Sequence, residues 1–106
     1  MRYATAVRLR PERREEYLAL HASVWPAVEA ALRAGNIHNF SIFLHGDVLF
    51  GYYEYVGTDY AADMARLDAD PETRRWLALT DPCQERLDGT PAGRQWLPLA
   101  EVWHMD

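Results

Sequence analysis

Polar and apolar positions alternate from the start of the chain, with Tyr3, Thr5, Val7 and Leu9 interleaved with Arg2, Ala4, Ala6 and Arg8. A period of two marks a strand with one face on a core, and it predicts a first strand ending near Leu9. Pro11 suits the first position of a helix, and Glu12 and Glu15 suit the positive end of its dipole. The pattern predicts one helix from there to about Ala34, stopped by Gly35-Asn36 and bent at Pro26, whose ring removes a backbone donor.

Ile37 to His45 and Val48 to Val56 are rich in aromatic and β-branched residues, and Gly46-Asp47 supplies a two-residue turn between them. An antiparallel hairpin follows, in which strict alternation puts His38, Phe40, Ile42 and Leu44 on one face. Thr58 or Asp59 caps a helix through about Leu67, Asp70-Pro71-Glu72 opens a second carrying Trp76, and Asp81-Pro82 interrupts it. Past the turn-rich Asp88 to Gly93, Leu99 to Met105 is expected as a last strand. The order β-α-β-β-α-β is the split βαβ pattern of an α+β, ferredoxin-like domain, a four-stranded antiparallel sheet with helices on one face. Aromatic residues on its other face make that face costly in water, and a second copy packed sheet to sheet, as in a dimeric α/β barrel, would cover it.

The 106 residues suit a single domain, residues 1–106, with a core too small to divide. Eleven Lys and Arg against 16 Asp and Glu give a net charge of -5, which leaves no electrostatic footprint for nucleic acid. The chain opens directly into a strand pattern and contains no apolar run near the ~20 residues of a membrane span, so a soluble cytoplasmic protein is expected. Cys83, the one cysteine, has no base beside it in sequence and is expected to be a buried structural thiol.

Candidate chemistry concentrates in Tyr17, His21 and Trp25, spaced four apart and followed by Pro26. On a continuous helix that spacing makes one slowly drifting stripe. An imidazole, with a reference pKa of ~6.5, exchanges protons at neutral pH, while a phenol and an indole can hold an uncharged polyhydroxy ligand beside it. The same spacing also suits a plain core stripe, so it carries no function alone. His38, His45 and His104 fall at no metal-ligand spacing with His21, and no metal or other cofactor is expected.

Several short segments in order, Glu16-Tyr17, His21, Trp25-Pro26, His38 to Leu44, Leu49-Phe50-Gly51, Arg74-Arg75-Trp76 and Glu101 to Met105, resemble the L-rhamnose mutarotases along the whole chain. The resemblance implies a ferredoxin-like homodimer that interconverts the α and β anomers of a 6-deoxy-L-hexose without metal or cofactor. It implies that His21 is the proton donor and Tyr17 a sugar-binding residue. Phe40 stands where the family has a sugar-binding tyrosine, and Arg75-Trp76 where it often has paired tryptophans. Loss of the phenol at Phe40 removes one hydroxyl partner, which Arg75 can replace, while Trp76 can cover the sugar's C–H face. These departures leave L-rhamnose and L-fucose both open as substrates. A cofactor-independent oxygenase of the same barrel class and a non-enzymatic small-molecule-binding module remain the rival readings.

Overall fold

The expected alternation forms β1 (Arg2–Leu9), in which Val7 and Leu9 are fully buried. The computed structural model describes all residues, Met1–Asp106. After a 3-10 turn at Pro11–Arg13 come α1 (Arg14–His21) and α2 (Pro26–Ala34), then the hairpin of β2 (Ile37–His45) and β3 (Val48–Tyr55). The helices α3 (Tyr60–Ala69) and α4 (Pro71–Thr80) follow, and two short strands, β4 (Gln84–Glu85) and β5 (Leu97–Leu99), close the chain. Aspartates start both later helices: Asp59 accepts from the Ala62 amide at 3.1 Å and Asp70 from the Thr73 amide at 2.9 Å.

All strand pairs are antiparallel, in the order β2-β3-β1-β4, with β5 also on β1. The fourth position is therefore shared: β4 pairs with Arg8 and Leu9, β5 with Ala4 to Ala6. This is the ferredoxin-like arrangement the element order predicts. Register places Tyr3, Thr5, Val7 and Leu9 on the same face as Leu49, Gly51 and Tyr53. The helices cover that inner face. Val7, Leu9 and Leu49 pack there with Tyr17 and Cys83 as the core cluster, and Tyr3 stacks on Tyr60 at 4.6 Å. Burial of each such aliphatic side chain contributes roughly 1.5–3 kcal/mol.

Three expectations are corrected. The first helix is not one bent rod, because it ends at His21 and restarts at Pro26. A residue before proline is pushed out of the helical region by the ring, and Trp25 is extended at φ -63°, ψ 131°. Pro26 thus begins α2, where its missing N–H costs nothing, and Trp25 lies off the stripe of Tyr17 and His21. Second, His38 and Phe40 do not share a face. His38 pairs with Glu54 and Ser41 with Tyr52, so Asn39 and Phe40 together oppose Tyr53 in a bulge. Asn39 takes the left-handed conformation, φ 51°, that Asn tolerates best among residues with a side chain. The extra residue moves His38 to the outer face and leaves Phe40 on the inner face with Ile42 and Leu44, where it stacks on Tyr53 at 5.5 Å.

Third, the last strand is Leu97–Leu99 and not Leu99 to Met105. Its register on β1 would set Glu101 opposite Arg2, and there a 2.8 Å ion pair between their side chains replaces the ladder. β1 then ends, leaving the remaining tail no edge to pair with. Val102, Trp103 and Met105 stay exposed.

Candidate active site

His21 is the final residue of α1 and Tyr17 lies one turn before it. The imidazole Nδ1 is 3.0 Å from the Tyr17 carbonyl oxygen. A carbonyl only accepts, so Nδ1 carries the proton and Nε2 presents its lone pair in the neutral ring. The two rings stack at 4.2 Å, and the edge of Trp76 meets the imidazole at 5.2 Å. Trp76, buried on α4, also meets Trp25 edge-on at 5.3 Å, so the break in the first helix still returns Trp25 to the cluster by way of Trp76. The result is an imidazole oriented by a backbone atom and walled by aromatic rings.

Tyr17 itself is only 2% exposed. Its hydroxyl accepts from Gln84 Nε2 at 3.4 Å, and burial pushes the phenol up to about 12. A phenol held neutral at that level does not carry protons near neutrality. Gln84 in turn accepts from Gln95 Nε2 at 3.2 Å, and Gln95 also donates to the Asp81 carbonyl at 3.3 Å. This amide chain ties α1 to the connection before β5.

Phe40 and Arg75 lie elsewhere. Phe40 is 44% exposed and lines a cavity of about 210 Å³ on the inner sheet face, together with Thr5, Tyr53, Arg94, Gln95 and Trp96. Arg75 faces outward from α4 and pairs with Glu72 one turn earlier. Of the residues singled out in the sequence, the structure brings Tyr17, His21 and Trp76 into contact, sets Phe40 in its own cavity and leaves Arg75 on the surface. A larger open groove of about 560 Å³ lies beyond Gln84 and Gln95. Its charged walls other than Asp81 are already engaged, Arg10 with Glu85 and Arg86 with the Thr90 and Pro91 carbonyls. The inner-face cavity is the better candidate because aromatic rings form much of its wall. No three His, Cys, Asp or Glu side chains converge on a point where they could share a metal ion.

Tyr53, Arg94 and Trp96 are not found by pattern reading, although Gly51 carries a signal. Glycine inside a strand marks close approach of another group. A Cβ at Gly51 would stand 2.9 Å from Thr5 Oγ1 and 3.3 Å from Trp96 Cζ3, so its absence admits the indole.

A family model described as L-rhamnose mutarotase matches residues 2–105. The chain is 31% identical over 98 residues to the L-rhamnose mutarotase of Oceanobacillus iheyensis, covering 91% of this chain and 89% of that one. It is likewise 31% identical over 100 residues to the L-rhamnose mutarotase of Phocaeicola vulgatus, covering 92% and 91%. In three dimensions it matches the L-rhamnose mutarotase of Formosa agariphila, with a TM-score of 0.76 over 100% of this chain and 99% of that one at 21% identity. It also matches the tetracenomycin F2 cyclase of Streptomyces glaucescens, a type II polyketide cyclase, with a TM-score of 0.67 at 14% identity and the same coverage. The two solved structures share the fold, and the cyclase among them shows that this fold alone does not select a chemistry. The near full-length match to one family model and the sequence identity to relatives of one description do select, and the chain belongs to the L-rhamnose mutarotase family.

Proposed function

We propose that this protein interconverts the α and β anomers of L-rhamnose by opening and reclosing the pyranose ring, with His21 as the group that moves protons. The observation that carries this reading is the fixed tautomer of His21, whose Nδ1 is held on the Tyr17 carbonyl and whose Nε2 is the nitrogen left for a substrate. Neutral Nε2 accepts the proton of the anomeric hydroxyl. The C1–O5 bond breaks as the C1–O1 bond becomes a carbonyl, and the ring oxygen takes a proton, leaving an open aldehyde. Rotation about C1–C2 presents the other face of the carbonyl, and the same transfers in reverse reclose the ring. One imidazole can serve both ends if the proton it takes from O1 is the one it delivers to O5.

Tyr17 serves by stacking beneath the imidazole and lending its carbonyl, and Trp76 by walling the ring's other side. Phe40 offers an apolar surface to the sugar's C–H groups. Arg75 would have to leave Glu72 to meet a sugar hydroxyl. The chain works as a homodimer on this reading. The outer sheet face carries a row of Phe43, Phe50, Ala6 and Leu97 in register, and Phe43 is 62% exposed in the single chain. A second copy would cover it.

Saturation-transfer NMR on equilibrated L-rhamnose and L-fucose tests the reaction and the substrate together. Wild type should speed exchange of L-rhamnose anomers more than those of L-fucose, and His21→Ala should slow it by about 10²–10⁴-fold. Undiminished exchange in His21→Ala removes that residue from the chemistry, and faster exchange of L-fucose reassigns the substrate.

A further inference from the structure

The cavity beside Phe40 holds more recognition chemistry than Phe40 alone supplies. Phe40, Tyr53 and Trp96 give it aromatic walls, and Thr5 and Arg94 add donors. Tyr53 and Tyr60 share one hydrogen bond between hydroxyls at 2.6 Å. That bond uses one of the two O–H protons, so the pair keeps a second to offer a ligand. Arg94 has no carboxylate within ion-pair distance, and its guanidinium is near enough to Tyr53 to pull that phenol down against the rise caused by burial. The side chains lining this cavity include no acid. Aromatic faces with hydroxyl and guanidinium donors at the margin match a pyranose, which is apolar on its C–H faces and rich in acceptors around its rim.

We propose that Tyr53, Arg94 and Trp96 are further substrate-binding residues, forming with Phe40 a subsite for a neutral 6-deoxyhexopyranose. Tyr53 there supplies the phenol that position 40 lacks, from the neighbouring strand and across a stacked ring. Gly51 belongs to the same device, since it makes room for Trp96 over the sheet. This inference rests on the mutarotase reading, in which Phe40 and His21 serve one sugar.

Two measurements on the full chain separate the inference from that reading. Saturation-transfer difference NMR with L-rhamnose reports binding without turnover, and anomer-exchange kinetics report KM and kcat. In Arg94→Met and in Tyr53→Phe, KM for L-rhamnose should rise about 5- to 20-fold for a lost hydroxyl partner, with kcat changed less than about twofold. The saturation-transfer signal should weaken in parallel. Trp96→Ala should abolish binding, and because it also empties a packed site, Trp96→Phe serves beside it and should restore part of the affinity. If wild type binds L-rhamnose without speeding exchange, the mutarotase reading fails while loss of binding in the variants still upholds the subsite. If KM and binding in Arg94→Met and Tyr53→Phe equal those of wild type, the subsite is wrong even where exchange is fast. A uronic acid binding more tightly than L-rhamnose would overturn the neutral-sugar assignment and mark Arg94 as an anion receptor.

Discussion

At the scale of the residue, the core and the site meet in Tyr17. Its ring is packed against Val7, Leu9 and Leu49, its hydroxyl is engaged by Gln84, and its carbonyl holds His21. The sequence marks Tyr17 and His21 as a pair through their spacing. It does not reveal that the link runs through a backbone carbonyl, because helical spacing says which side chains are neighbours and not which atoms they use. The upward shift of the phenol to about 12 has a consequence for stability. A phenol free in the unfolded chain titrates near ~10. The fold therefore gains from Tyr17 below pH ~10 and loses that gain as pH rises toward about 12, roughly 3 kcal/mol in all. Urea denaturation of wild type and Tyr17→Phe across that range should show the variant losing less stability with pH. Parallel losses would mean that the phenol is not desolvated as described.

Among the elements, those with long periodic runs were legible: β1, the hairpin and the two capped helices lie close to where the pattern sets them. What escaped was local backbone chemistry acting against the pattern. Pro26 was visible, yet its effect on Trp25 turned a bend into a break. The bulge at Asn39 was not visible, since one inserted residue leaves composition and hydrophobicity unchanged while reversing the face of all that precedes it. The inner-face cavity was hidden for a different reason, because Arg94 and Trp96 arrive from a connection without period. Gly51 tests how tightly strand and connection are matched. Gly51→Ala places a methyl against Thr5 and Trp96 and should cost about 1–3 kcal/mol by thermal denaturation, with a higher KM for L-rhamnose. An unchanged melting temperature would show that Trp96 moves aside freely.

For the whole molecule, the two faces of the sheet have different fates. The inner one is closed by helices, and the outer one presents Phe43 and Phe50 side by side across the hairpin. Phe43→Asp with Phe50→Asp should convert the proposed dimer to monomer in sedimentation equilibrium while circular dichroism keeps its helix and strand signal. A wild type that is already monomeric at micromolar concentration would refute the dimer. The sheet also has a rim. β2 is its outermost strand and runs nine residues, a length of free amides and carbonyls onto which a foreign strand could add. The kink at Asn39 interrupts that row near one end, where Asn39 Nδ2 also donates to Glu54 at 2.8 Å. The residue that turns His38 outward thereby also spoils the template for edge-to-edge growth, and a variant that straightened β2 would carry His38 inward and risk fibrils.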